Sequence, residues 1–223
     1  MGKIHIGALL IGIGAVLASV TAMVPAAHAD TFTEAPQAVK FLMAAPPSSH
    51  ATENRVTPAG FGVGDDLNAP TVMHSAAHND TYYVGTGQPG DGQSIADICT
   101  VTANNVLWYM VIDRNGVGGD HFSDTAAFVP ASALDFQRAV STCPGGNATI
   151  TSGGPMFSAP TTSSYHVGNA QTGDPVELFC QLPGPQGGFW YLMLDIAGFP
   201  GDHYPYNAAW ISSGQNEGLP SCD

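Results

Sequence analysis

Hydrophobic positions along the chain fall in short runs of strand length, without a convincing helical period. Residues 107–112 and 190–194 are continuous apolar runs, and 176–180 alternates in part between apolar and polar residues. Glycine, asparagine, proline or aspartate flanks these runs, and Asn115-Gly116 has the composition of a turn. The stretch 131–140 is the best candidate for a helix. This pattern predicts an all-β protein.

Two stretches of the chain, 70–143 and 155–222, carry the same anchors in the same order. Each anchor of the first stretch has a counterpart in the second. The pairs are Val84-Gly85 with Val167-Gly168, Cys99 with Cys180, Trp108 with Trp190, Asp120-His121 with Asp202-His203, and Ala126-Ala127 with Ala208-Ala209. The tryptophan precedes the aspartate by 12 residues in both. We predict two homologous domains, repeat one (69–143) and repeat two (154–223), with a short linker at 144–153. About five short strands in each suggest a small barrel, closed or half open.

The repeat also bears on the cysteines, for which three connectivities are possible. Each repeat contains one cysteine before its tryptophan and one at its end, which predicts the pairs Cys99–Cys143 and Cys180–Cys222. Cross-pairing would require the two repeats to interlock. The absence of C-x-x-C gives no support to a zinc ribbon or a thioredoxin-type site.

The amino-acid composition excludes some classes of binding partner. The chain has 223 residues, 27 of them Gly and 17 Pro, with 5 Lys+Arg against 18 Asp+Glu and a net charge of −13. Such an acidic chain does not bind nucleic acid by neutralising phosphates, nor an anionic membrane by a basic patch. A hydrophobic content of 44% excludes wholesale disorder.

The N-terminal segment has the features of an export signal. Lys3 precedes an uncharged apolar run over 6–20, and Ala27-His28-Ala29 matches a cleavage pattern. We expect a signal peptide at 1–29, cleaved after Ala29, with secretion, no membrane insertion afterwards and disulfides in an oxidising compartment. An uncleaved anchor is the alternative. Residues 30–68 read as a flexible linker, in which 39–43 could dock as a strand or a helical turn.

Several motifs of repeat two resemble the bacterial SH3-like domain family, as found in tandem in secreted, disulfide-containing actinobacterial proteins. The matching residues are Val167-Gly168, Gly173-Asp174-Pro175-Val176, Cys180-Gln181-Leu182-Pro183-Gly184, the strand from Trp190, and Ala209-Trp210-Ile211. Repeat one departs from this pattern with Cys99-Thr100, and both repeats have alanine where the family has glycine before the last strand. The resemblance implies two tandem SH3-like β-barrels, each closed by one disulfide.

In SH3-like barrels a few aromatic residues line a ligand groove. The candidates here are Tyr83, Tyr109, Phe122, Tyr165, Tyr191, Tyr204 and Tyr206. Strand alternation turns Tyr109 and Tyr191 outward, and we expect Tyr204 and Tyr206 to be exposed as well. We assign Trp108, Trp190, Phe128 and Trp210 to the core. The alternative is that most of these aromatics are core residues too.

Catalytic and metal chemistry find little support in the sequence. The cysteines are assigned to disulfides, and neither G-x-S-x-G nor H-E-x-x-H occurs, so we predict no enzyme, no catalytic residue and no cofactor. Asp120-His121 and Asp202-His203 could ligate a metal, but neighbouring residues on a strand point to opposite faces. A structural turn is the preferred interpretation, with no metal site.

These inferences predict a secreted, non-enzymatic binding module. The resemblance points to a cell-envelope polymer of the peptidoglycan type or to a peptide or extracellular protein. The acidity disfavours direct contact with anionic wall polymers. The alternatives are an extracellular structural, protein-interaction or inhibitor protein, and a hydrolase with an unrecognised site.

Overall fold

A computed structural model describes residues 39–43, 64–90, 94–118, 122–184, 188–198 and 204–223. Within these ranges the protein is all-β, as predicted, with twelve strands in two sheets. The candidate helix at 131–140 yields only a 3-10 turn, Ala131–Ala133. The chain cannot continue as a helix there, because the amides of Asp135 and Phe136 donate to the Asp66 carbonyl and the Asp65 carboxylate.

Repeat one forms a five-stranded antiparallel sheet of order β3-β2-β6-β5-β4. Its strands are β2 (Thr71–His74), β3 (Tyr83–Gly87), β4 (Ile95–Ala103), β5 (Val106–Asp113) and β6 (Thr125–Pro130). The predicted turn after β5 is confirmed: Gly116 has a φ of +76°, and an added Cβ would meet the Phe122 carbonyl oxygen at 2.2 Å. Glycine is therefore required at this turn.

Repeat two has the same strand order in its own sheet, β9-β8-β12-β11-β10. Its strands are β8 (Gly154–Phe157), β9 (His166–Ala170), β10 (Pro175–Pro183), β11 (Phe189–Asp195) and β12 (Asn207–Ser213). Two further strands extend this sheet beyond β10, namely β7 (Ala148–Ser152) and β1 (Lys40–Met43). Half of the predicted linker at 144–153 is therefore strand β7, in which Ala148 and Ile150 bury their side chains in the core. The possible strand at 39–43 is confirmed.

Register shifts occur at equivalent places in the two repeats. One shift lies between Met73 and His74 in repeat one and between Met156 and Phe157 in repeat two. A second lies between Asp97 and Cys99 and between Leu178 and Cys180. Bulges of this kind bend strands and increase their twist, and the fold contains a curled, half-barrel sheet beside a second sheet.

Both predicted disulfides are confirmed. Cys99 is bonded to Cys143, and Cys180 to Cys222. Each repeat ends in a tail that returns to its own β4 or β10, where the amides of Cys143 and Cys222 donate to the carbonyls of Thr100 and Gln181. Two such bonds indicate folding in an oxidising compartment. Among the residues that the structure describes, no helix is long and apolar enough to span a membrane.

Buried side chains form two clusters, and each contains residues of both repeats. The first holds Tyr109, Val111, Tyr191 and Met193 from one face of β5 and β11. The second contains the opposite face of these strands together with both disulfides, including Trp108, Met110, Trp190, Leu192, Phe128 and Trp210. The predicted core positions of Trp108, Trp190, Phe128 and Trp210 are confirmed.

Reciprocal hydrogen bonds join the two repeats. The amide of Ala126 donates to the Ser158 carbonyl (2.7 Å), and the equivalent amide of Ala208 donates to the equivalent Ser75 carbonyl (2.8 Å). The indole Nε1 of Trp210 donates to the carbonyl of Asp124 across the same boundary (2.7 Å). The repeats therefore meet with approximate twofold symmetry along β6 and β12.

Candidate functional site

The expected exposure of Tyr109 and Tyr191 is wrong. Their exposed fractions are 4% and 0%. Alternation does turn them away from Trp108 and Trp190, but the opposite face of each strand is also covered, since the two buried clusters lie on either side of β5 and β11. These tyrosines therefore cannot form a ligand groove in this conformation.

Both buried tyrosines instead hold the tails of their repeats. The Tyr109 hydroxyl donates to the Arg138 carbonyl (3.0 Å), and the Tyr191 hydroxyl donates to the Gln215 carbonyl (2.5 Å) and accepts from the Glu217 amide (2.9 Å). Burial raises the pKa of both hydroxyls. Each hydroxyl fixes the chain after the last strand of its repeat, ahead of the closing cysteine.

The other candidates of the predicted groove are dispersed. Tyr204 is half-buried, with its ring stacked on that of His78 in repeat one at 4.1 Å between centroids. Phe122, Tyr165 and Tyr206 are also half-buried, and Tyr206 packs against the second cluster. Tyr206 and its repeat equivalent Asp124 both have positive φ, 66° and 64°, immediately before the strands that meet at the joint. Tyr204 and Tyr206 thus contribute to packing at or near that joint.

Tyr83 alone of the seven is an exposed aromatic, and it lies on the outer face of the β2–β3 hairpin. The register shift in this hairpin places three residues of β3, Tyr83 to Gly85, opposite only Met73 and His74. Tyr83 and Thr86 consequently face the same way although they are three residues apart, and their hydroxyls lie 2.8 Å apart. Thr86 in turn lies directly opposite Val72.

We call Val72, Tyr83 and Thr86 the hairpin face. Val72 and Tyr83 are 45% and 53% exposed, so two large side chains of this face are in contact with water. Hydroxyls sit beside the apolar surface, so the face offers both flat contact area and hydrogen-bonding groups. Of these residues only Tyr83 was among the sequence candidates; the alternation over Thr71–His74 was the available signal for Val72.

The hairpin face is held firmly from behind. The Gly118 amide donates to the Thr86 carbonyl (2.9 Å), which ties β3 to the chain after β5. Val117 packs so closely on Gly85 that a Cβ there would lie 2.3 Å from the valine side chain. In repeat two the equivalent residues are Pro155, His166 and Asn169, with His166 Nε2 3.3 Å from Asn169 Oδ1. The equivalent hairpins thus present an apolar face in repeat one and a more polar face in repeat two.

Comparison of the chain with family models, with curated proteins and with solved structures finds no match.

The end of the predicted flexible linker, 64–68, packs against repeat one instead, where Asp65 and Leu67 form bridges to Ile95 and Leu134. It brings Asp65 together with Asp97 of repeat one as a buried pair of carboxyls that was not anticipated from the sequence. Asp65 is fully buried, and both oxygens of Asp97 are buried as well. Burial and the negative charge of Asp65 raise the pKa of Asp97 to about 7, while the Arg138 guanidinium opposes the shift. Strand register aligns Asp65 with Ala148 of β7 and Asp97 with Leu178 of β10, so the pair occupies positions that are apolar in the other half of the molecule.

A second set of buried acids caps equivalent turns. Asp113 accepts from the Asn115 amide (3.0 Å), and Asp195 accepts from the amides of Ala197 (3.1 Å) and Gly198 (3.2 Å). Burial raises the pKa of both carboxyls to about 6, although these amides act in the opposite direction. Their repeated position at the end of β5 and β11 indicates a structural role.

His74 also has an equivalent in repeat two. Its ring meets Trp108 edge-on at 5.7 Å, as Phe157 meets Trp190 at 5.7 Å. Its Nδ1 is buried with no hydrogen-bond partner, and burial together with the charge of His78 lowers the pKa of His74, against the effect of Asp80. His74 thus fills a position that suits a phenylalanine.

The predicted turn residues Asp120-His121 and Asp202-His203 lie outside the described residues. Within the described ranges, no three or more His, Cys, Asp or Glu side chains are grouped so that they could hold a metal ion.

Proposed function

We propose that the protein is a secreted, non-enzymatic binding protein of two SH3-like repeats, released by cleavage after Ala29. Its ligand is a peptide segment or a protein at the cell envelope, bound on the hairpin face. The repeated strand order and the disulfide in each repeat support the SH3-like assignment. The disulfides also agree with export to an oxidising compartment.

The exposure of the hairpin face is the observation on which this proposal rests. Tyr83 and Val72 are both about half exposed on a hairpin whose backbone is fixed by the Gly118–Thr86 bond. Exposed apolar residues grouped in this way are typical of contact sites, and tyrosine combines a flat apolar ring with a hydroxyl. A face held in one conformation also loses little entropy on binding.

Charge selects among the possible ligands. The chain carries 18 acids against 5 Lys+Arg, so its field repels anionic polymers and attracts neutral or basic partners. We therefore favour a protein or peptide of neutral or basic character over direct binding to an acidic wall polymer. Peptidoglycan itself stays the alternative ligand.

Catalysis receives less support than binding. The acids with the most strongly raised pKa values, Asp97, Asp113 and Asp195, are held inside the fold, and the oxygens of Asp97 are covered. A general acid or base must reach the atom that it protonates or deprotonates. We accordingly interpret these acids as structural.

Sedimentation with envelope fractions tests the proposal. The mature, oxidised protein is mixed with intact envelope, with protease-treated envelope and with purified peptidoglycan of the producing organism, in low and moderate salt. We expect sedimentation with intact envelope and its loss after protease treatment. Equal retention on purified peptidoglycan would favour the polymer ligand, and no retention on any fraction contradicts envelope binding.

A further inference from the structure

Strand β1 lies at the edge of the repeat-two sheet but does not belong to either repeat. It pairs antiparallel with β7, with Phe41 opposite Ile150, Leu42 opposite Thr149 and Met43 opposite Ala148. Ahead of repeat one the segment equivalent to β7 contains Asp65, which forms a bridge to Ile95. No further strand lies outside that segment among the residues that the structure describes.

Alternate residues of β1 fill a seat on repeat two. Val39 is 1% exposed and Phe41 9%, and the Phe41 ring meets the Tyr191 ring edge-on at 5.5 Å. The Val39 amide donates to the Ser212 carbonyl (2.9 Å). Lys40 and Leu42 point the other way and are exposed. This site therefore accommodates an extended backbone with apolar side chains at every second position.

The interactions of β1 are those of a weakly anchored strand. It is four residues long and pairs along its length with β7 alone, apart from the hydrogen bond of the preceding Val39 amide to Ser212 of β12. Residues 44–63 separate it from the next described part of the chain. Ordering each residue costs about 1–2 kcal/mol, which the burial of two or three apolar side chains offsets only in part. Such an edge strand can open without global unfolding.

We propose that the outer edge of β7, above Tyr191, is a binding site for an extended peptide strand, and that β1 is an occupant which another strand can replace. The ligand is a peptide with apolar residues at alternate positions, an aromatic residue at the centre and a basic residue beside it. Backbone pairing along the sheet edge provides affinity, and the seat of Phe41 provides selectivity. Lys40 is the charged residue of β1, and its positive charge is complementary to the net negative charge of the protein.

This site lies in repeat two and is independent of the hairpin face. Substitution of Tyr83 therefore leaves peptide binding at β7 unchanged, and failure of one proposal does not decide the other.

Peptide binding to full-chain variants tests the inference. Phe41→Asp places a charge in the apolar seat and weakens the resident strand, whereas Leu42→Asp places the same charge on the exposed side as a matched control. A fluorescent peptide of residues 37–45 should bind Phe41→Asp at least about tenfold more tightly than it binds wild type or Leu42→Asp. The same peptide carrying Phe41→Asp should not bind. Absence of binding to a natively folded Phe41→Asp protein, or equal binding of both peptides, overturns the proposal.

Hydrogen exchange on the wild-type protein gives a second test that needs no variant. The amides of β1 should exchange faster than those of β11 in native buffer, and an excess of the unlabelled peptide should change the exchange of β1. The proposal is also overturned if the amides of β1 are as well protected as those of β11 and the peptide does not change their exchange.

Discussion

The amide of Ala208 in repeat two donates a hydrogen bond to the carbonyl of Ser75 in repeat one, at 2.8 Å. The equivalent residues Ala126 and Ser158 make the same bond in the opposite direction at 2.7 Å. Because β6 and β12, which carry the two alanines, also bury Phe128 and Trp210 in a shared cluster, the joint is part of the core. The two repeats should unfold together.

Loss of either disulfide should destabilise both repeats. The bonds Cys99–Cys143 and Cys180–Cys222 span 44 and 42 residues, for which chain entropy predicts a contribution of about 4 kcal/mol each. The paired variants Cys99→Ala/Cys143→Ala and Cys180→Ala/Cys222→Ala should each show one urea transition, coincident by tryptophan fluorescence and far-UV circular dichroism. Two separate transitions would show that the repeats are independent.

Trp210→Phe tests the hydrogen bond across the joint. Repeat one has Phe128 at the equivalent position, so a phenylalanine ring suits the local backbone. The variant removes the donor to the Asp124 carbonyl and part of a buried ring, which should lower the free energy of unfolding by about 1–3 kcal/mol. A loss below about 0.5 kcal/mol, measured in urea with an unchanged m-value, would contradict this role.

Asp97→Asn should stabilise the protein at pH 8 but not at pH 4. The pKa of Asp97 rises from 3.8 to about 7 on folding, so the folded state binds the additional proton. The free energy of unfolding therefore falls as the pH rises from about 4 to 7, by up to about 1.4 kcal/mol per pH unit. An uncharged amide avoids that loss, and we expect a gain of about 2–4 kcal/mol at pH 8.

Asp135→Asn serves as the control for this experiment because Asp135 is exposed. Its unfolding free energy should follow that of wild type at both pH values. A gain of Asp97→Asn that is the same at pH 4 and pH 8 would argue against the raised pKa as its cause.

His74→Phe should stabilise the protein, and more so at pH 5 than at pH 8. Burial lowers the pKa of His74 below 6.5, so the unfolded state binds the proton more readily and wild type loses stability as the pH falls through that value. Phenylalanine does not titrate and is the residue of repeat two at this position, Phe157. Thermal unfolding at the two pH values measures the difference, and a larger gain at pH 8 would exclude the proposed cause.

Much of the fold follows from the sequence because it depends on local pattern and on the repeat. The runs around Trp108 and Trp190 are long enough and apolar enough to be central strands, and the place of one cysteine pair in each repeat determines the disulfides. The expected exposure of Tyr109 and Tyr191 was wrong because alternation shows only which residues share a face. What covers the second face depends on the packing of both sheets, which no single strand encodes.

The site was harder to predict than the fold. Tyr83 was among seven candidates, and its exposure depends on a register shift in β3 that ordinary alternation does not reveal. The carboxyl pair of Asp65 and Asp97 joins residues 32 positions apart, brought together by the bridge between Asp65 and Ile95. The equivalent positions beside and within repeat two, Ala148 and Leu178, are apolar. A contact between residues so far apart in the chain depends on the tertiary structure and has no local signal in the sequence.

The most direct test of the proposed function is the bound fraction of Tyr83→Ser in sedimentation with intact envelope. Phe136→Ser is the matched control, because Phe136 is an aromatic residue with 73% exposure outside the hairpin face. We predict that Tyr83→Ser reduces the bound fraction at least about tenfold, as expected for an aromatic contact residue of a binding site, and that Phe136→Ser binds like wild type. Wild-type binding by natively folded Tyr83→Ser would contradict the assignment of the hairpin face as the binding site.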